Sequence, residues 1–128
     1  MELLTPLNKY FNNGINESDV IRLGIDICKA LEICQEHNII HRDIKPGNIF
    51  VSQNGTFKLG DFGVAKTMNN MGTVMTKAGT YTYMAPELYK GEKNSASVDI
   101  YSLGMVMYQL LNYNRDPFLP IPPEKFTF

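Results

Sequence analysis

Residues 97–111, SVDIYSLGMVMYQLL, carry apolar side chains all round a helical wheel. A helix without a wet face is either a membrane span or the centre of a core. At a rise of about 1.5 Å per residue this one is too short to cross a hydrocarbon layer about 30 Å thick. It is expected to be the post around which a domain packs. Its single charge, Asp99, must then be satisfied by hydrogen-bond donors from elsewhere in the chain.

Around that post the sequence predicts a mainly helical protein with a small β element. Thr5 and Pro6 read as the N-cap and first position of a short helix ending near Phe11, broken by NNG. Ser18 and Asp19 open a longer helix to about Glu36. Its buried stripe would be Val20, Leu23, Ile27, Leu31 and Cys34, with Arg22, Asp26, Lys29 and Glu36 on the wet side. Ile39 and Ile40 form a short extended piece. NIFVS and TFKLG read as two strands joined by QNG, where Asn54-Gly55 is a hairpin signal. Residues 64–84 lack periodicity and read as a mobile loop, and Ala85 to Lys90 as one short helix. Cys28 and Cys34, on different faces of one helix, are expected to be two buried thiols rather than a disulfide.

Composition limits the partners. The chain has 128 residues, a formal net charge of -1 and 44% hydrophobic residues. That suits one globular domain and gives no basic excess for nucleic acid. No apolar run of about 18 residues suggests a membrane segment, and the cytoplasm is the default location.

One stretch remains, IIHRDIKPGNIFVSQNGTFKLGDFG, which sets charged and amide side chains among apolar runs. Burying such groups is costly unless they pair or do chemistry. HRDIKPGN, then DFG thirteen residues after its Asn, then APE, resembles the protein-kinase signature in its serine/threonine form. DIYSLGMVMYQLL and RDPFLP look closest to eukaryotic-like kinases of bacteria. The likeness runs from a hinge-like MELL to the DIYSLG helix. It implies an incomplete kinase C-lobe, residues 1–128 being a partial kinase domain.

The resemblance implies roles residue by residue. Asp43 would accept or orient the hydroxyl proton of a protein substrate, and Lys45 would stabilise the transferring γ-phosphate of ATP. Asn48 and Asp61 would supply hard oxygen ligands to Mg²⁺, the hairpin returning Asp61 beside Asn48. Glu2 and Leu4 match hinge positions whose backbone meets adenine. Phe50 would lie beneath that ring or be a plain core residue. Arg42 and Lys66 match cations that read a phosphate in the activation loop, with Thr76 as acceptor and Thr73 as runner-up; a solvated loop threonine is the other reading. Thr80 matches the threonine that bonds the catalytic Asp and Lys. His41 matches a core histidine near Phe62, Gly63 the turn glycine, and Asp99 the aspartate that caps the catalytic loop. His37 and His41 lie four apart, but HNII has no Glu after the first His and the helix has ended there, so a zinc pair is disfavoured.

Several family parts do not occur in this sequence: a glycine-rich loop, the strand lysine, and the helix glutamate that pairs with it. The family's arginine partner for Glu87 is expected after residue 128, and loss of a buried partner can cost about 3–5 kcal/mol. The 128 residues alone are therefore expected to show no turnover, and the missing N-lobe is an expected partner. Two other readings stay open: a non-catalytic kinase-derived binding or scaffold module, and a small-molecule phosphotransferase of the antibiotic-kinase type. Lys45 and GTYTYMAPE favour a protein substrate over the latter.

Overall fold

A computed structural model describes residues 3–11, 14–60, 66–67, 83–90 and 95–112. In chain order the elements are β1 (Leu4–Pro6), α1 (Leu7–Tyr10), α2 (Glu17–Glu36), β2 (Ile39–Ile40), a 3₁₀ turn (Pro46–Asn48), β3 (Ile49–Ser52), β4 (Phe57–Leu59), β5 (Lys66–Thr67), α3 (Pro86–Tyr89) and α4 (Ser97–Leu111). β1, β3 and β4 form an antiparallel sheet with β3 in the middle, and β2 pairs antiparallel with β5. The expected hairpin is present and gains a third strand.

The core lies where α2, α4 and this sheet meet. Leu23, Ile27 and Leu31 of α2 pack with Leu103 and Val106 of α4, and with Ile49, Val51 and Phe57 from the sheet. A second cluster, Ile40, Ala85 and Val98, joins β2 to the lead into α3 and to the start of α4. At Gly24 the two long helices approach closely: a Cβ there would lie 2.8 Å from the end of the Met107 side chain. Among the described residues no helix is long and apolar enough to cross a membrane.

Several expectations need correction. Thr5 and Pro6 do not open a helix; they pair with Val51 and Phe50, and the helix starts at Leu7. Proline is tolerated here because β1 is an outer strand of its sheet. The cap of α2 is Asn16, one position before Glu17. Its side-chain oxygen accepts the Asp19 N–H at 2.8 Å and the Ser18 hydroxyl at 2.7 Å. Asn16→Ala should therefore cost about 1 kcal/mol and Ser18→Ala less, readable as shifts in urea midpoint; the reverse order would return the cap to Ser18. Cys28 is exposed and Cys34 buried, so the pair is not uniformly hidden. Lys66 and Thr67 form a strand inside the segment read as loop, because β2 offers them an edge. α4 is not covered all round either. Val98, Asp99, Ser102, Leu103, Val106 and Gln109 are buried, while Ile100, Tyr108 and Leu111 are exposed.

The hairpin is set by its turn. Gly55 takes φ +85°, a left-handed conformation that glycine adopts without steric cost. Around it Gly55 N–H donates to Ser52 O at 3.0 Å and Ser52 N–H to Thr56 O at 2.9 Å, closing a three-residue loop.

Candidate active site

After β2 the chain leaves regular structure at His41 and turns through Arg42, Asp43, Ile44 and Lys45 into the 3₁₀ turn. This loop is fastened from below by Asp99. Its carboxylate accepts the His41 N–H at 2.8 Å and the Arg42 N–H at 2.9 Å, one on each oxygen. The donors that a charge on α4 demanded are thus two consecutive backbone amides. Burial pushes the Asp99 carboxyl above the usual carboxylate range, and the bonds from Arg42 and His41 oppose that rise.

The clamp holds an unusual conformation. Arg42 has φ 72°, which costs a side-chain-bearing residue about 1–2 kcal/mol. His41, fully buried, braces the next residue. The Asp43 N–H donates to His41 Nδ1 at 3.1 Å, so the ring proton sits on Nε2, which donates to Gly60 O at 2.8 Å. One imidazole thereby ties the loop to the end of β4.

Two side chains converge at Asp43. Asn48 Nδ2 donates to the Asp43 backbone oxygen at 2.6 Å and to Oδ2 at 3.1 Å, and Lys45 Nζ lies 3.8 Å from that same Oδ2. Two acceptors for one nitrogen fix the orientation of the Asn48 amide, so its oxygen faces away from Asp43. The Asp43 Oδ1 atom has no partner among the described residues. Lys45 is partly exposed, and the ion pair adds little to stability. Its geometry is the informative part.

The hairpin brings the far side of the site back. Gly60 N–H donates to Asn48 O at 2.8 Å, so the residue before Asp61 is paired with Asn48. Phe50, half-buried, points away from its buried neighbours Ile49 and Val51, and its ring lies against Gly60. Leu4 is exposed in β1 and faces Ser52 in register. Glu2, Asp61, Phe62, Gly63, Thr73, Thr76 and Thr80 lie outside the described residues. Lys66 pairs through its backbone with Ile40, and its side chain is outside the description.

Arg42 Nη1 is buried without a hydrogen-bond partner among the described residues, and burial lowers the guanidinium pKa from its ordinary value, Asp99 opposing. Glu87 is half-buried in the first turn of α3, and no ion pair to it occurs among the described residues. His37 donates from Nδ1 to Ile33 O at 2.9 Å on the exposed end of α2, while His41 faces Gly60; the two do not form a metal pair. No group of three or more His, Cys, Asp or Glu suited to a metal occurs among the described residues.

Two residues at this site were not expected. Ser102 donates its hydroxyl to the Tyr83 carbonyl, and Gln109 accepts the Tyr83 phenol, so α4 holds that residue at both ends. Tyr83, Met84 and Ser102 wall a small crevice with Arg42, Asp43 and Ile44. The signal was present. Ser102 and Gln109 are the polar interruptions of the apolar helix and fall on the Asp99 face at helical spacing.

A loop pinned by a helix aspartate, with Asp, Lys and Asn converging beside a hairpin, is an arrangement for handling a charged group. The chain matches the protein kinase domain family over residues 1–121. It is 40% identical over 112 residues to serine/threonine-protein kinase PknB of Mycolicibacterium smegmatis, which spans 84% of this chain and 18% of that protein. It is 37% identical over 111 residues to a probable serine/threonine-protein kinase PknB of Bifidobacterium longum (84% and 16%). Cyclin-dependent kinase-like 2 of Rattus norvegicus is 44% identical over 105 residues (80% and 21%). The chain thus spans between 16% and 21% of the length of these relatives. It belongs to the protein kinase family.

Proposed function

We propose that this chain is the C-lobe part of a serine/threonine protein kinase that transfers the γ-phosphate of ATP to a Ser or Thr hydroxyl of a protein. The observation that carries the reading is the convergence of Asn48 and Lys45 on one oxygen of Asp43. With Oδ2 engaged, Oδ1 is left to take the substrate's hydroxyl proton. The hydroxyl oxygen forms the new bond to phosphorus as the bond to the β–γ bridging oxygen breaks, and ADP leaves. Lys45 lies close enough to offset charge on the moving phosphoryl group, the main demand of this chemistry.

The donor chemistry fits Mg²⁺. The Asn48 amide oxygen is directed away from Asp43, and Asp61 follows directly on Gly60, which is paired with Asn48. These are the hard oxygen ligands such an ion takes. When bound, the ion supplies neutralisation of phosphate charge. Phe50 would floor the adenine site, and the backbone at Glu2 and Leu4 would meet the adenine edge. A nucleotide-covering N-lobe is the proposed partner, and the cytoplasm the proposed location. Thr80 would bond Asp43 and Lys45, Phe62 would pack by His41, Gly63 would permit the turn after Asp61, and Glu87 would pair with an arginine.

Control would run through Arg42. A buried guanidinium nitrogen without a partner among the described residues is relieved by an anion, and a phosphothreonine carries about -1.5 to -2 charge at pH 7. A phosphate on Thr76, or on Thr73, would engage Arg42 and Lys66. In a complete kinase domain, Thr76→Ala should remove a gain in activity of about tenfold or more, equivalent to one charge-assisted bond of about 1.5–3 kcal/mol. Phosphopeptide mass spectrometry with activity assays checks this; unmodified Thr73 and Thr76, with both alanine variants fully active, contradicts it. The parent reading is tested by phosphoamino-acid analysis of a labelled protein substrate, which should give phosphoserine or phosphothreonine.

A further inference from the structure

Asp99, Ser102 and Gln109 are the buried polar side chains of α4, and their spacing puts them on one face of the helix. A polar group taken out of water needs a bonding partner, and each of the three finds one off the helix. Asp99 takes the His41 and Arg42 amides at 2.8 and 2.9 Å. Ser102 donates its hydroxyl to the Tyr83 carbonyl, and Gln109 Oε1 accepts the Tyr83 phenol. One face of one helix therefore carries both sides of the crevice that Asp43 lines: Arg42 to Ile44 on one side, Tyr83 and Met84 on the other. Ser102 and Gln109 are two turns apart, a rise of about 10 Å. Tyr83 thus lies lengthwise along α4, its backbone held at one end and its hydroxyl at the other.

We propose that Gln109 is a positioning residue for the protein substrate, its bond to the Tyr83 phenol keeping one wall of the Asp43 crevice in place. The inference rests on the kinase reading. A substrate hydroxyl reaches Asp43 only with its peptide laid beside that residue, and Tyr83 and Met84 border that place. Ser102 fixes the Tyr83 backbone alone, which leaves the side chain two torsions to turn about. Gln109 removes that freedom. The arriving peptide then meets a wall already ordered, and the entropy of ordering it is not charged to binding. Asp43 itself is held by other groups, His41 Nδ1 on its N–H and Asn48 on its two acceptors. Loss of the Gln109 bond therefore falls on peptide binding and not on the proton acceptor.

The test uses a complete kinase domain containing this chain, and as probe the peptide its wild type prefers in a serine/threonine peptide library. Gln109→Met, of similar volume but without the acceptor, should raise KM for the peptide about threefold to tenfold, the range that ordering one side chain covers. KM for ATP and kcat should each stay within about twofold, the pattern of lost substrate binding. Tyr83→Phe removes the other end of the same bond and should show the same shift, which keeps the test open should Gln109→Met not fold. The double variant should be no worse than either single one, since both remove one contact. Ile27→Val, a core change in α2, serves as a stability control and should leave the peptide KM unchanged. An unchanged peptide KM in both single variants overturns the proposal. So does an equal rise in KM for ATP, an equal rise in Ile27→Val, or a double variant showing the product of the two single effects. A wild type that phosphorylates no library peptide overturns the kinase reading and this inference together; an active wild type that the Gln109 and Tyr83 variants match overturns the inference alone.

Discussion

Replacing Asp99 with alanine is expected to cost about 2–6 kcal/mol, from two buried N–H groups each losing a bond worth about 1–3 kcal/mol. Those groups belong to His41 and Arg42, and Asp99 itself is 2% exposed. The Arg42 backbone at φ 72° is then free to leave its left-handed conformation, carrying Asp43 with it. Asp99→Asn should fall between, since one amide oxygen replaces two acceptors and the amide NH₂ opposes a donor. The wild type and Asn variant should also differ in pH dependence. Burial raises the folded Asp99 pKa above its unfolded value, so in that window the folded state binds more protons. Its contribution to stability is therefore more favourable below the ordinary carboxylate value and declines as pH rises through the raised pKa. Urea midpoints of both proteins across that range should show the wild type gaining on Asp99→Asn as pH falls. An Asp99→Ala variant within about 0.5 kcal/mol of wild type, the range of an ordinary surface change, would contradict the clamp.

The largest kinetic effect belongs to Asp43. Asparagine has the same shape, and its oxygen can still accept from Asn48 and face Lys45, so the loop should keep its geometry. What it cannot do is take a proton. In a complete kinase domain Asp43→Asn should lower kcat by about 10²–10⁴-fold, the usual worth of a positioned general base, with nucleotide affinity and melting temperature close to wild type. A fall in stability with little fall in kcat would make Asp43 a structural residue.

Much of this was legible because the signals were local or demanded a partner. The 97–111 helix has the expected bounds, and its lone charge found the buried donors that it required. Asn54-Gly55 gave the hairpin, since the turn chemistry is carried by two adjacent residues. What failed was non-local. Thr5-Pro6 looks like a helix start until β3 offers an edge across more than 40 residues of chain. Asp26 accepts the Phe57 N–H from 31 positions away, and nothing in a polar helix face announces which backbone amide it will meet. The Arg42 conformation is imposed by Asp99, 57 positions away, against the preference of a side-chain-bearing residue. For Asp61, Thr76 and Thr80, outside the described residues, the motifs themselves remain the basis of assignment.

Phosphoryl transfer by this loop can be measured outright. The most direct measurement is transfer of labelled γ-phosphate from ATP to a protein substrate, comparing a complete kinase domain containing this chain with its Asp43→Asn form. Mg²⁺-dependent label on serine or threonine is expected with the wild type, and a loss of about 10²-fold or more in the variant. Equal transfer by both would contradict it.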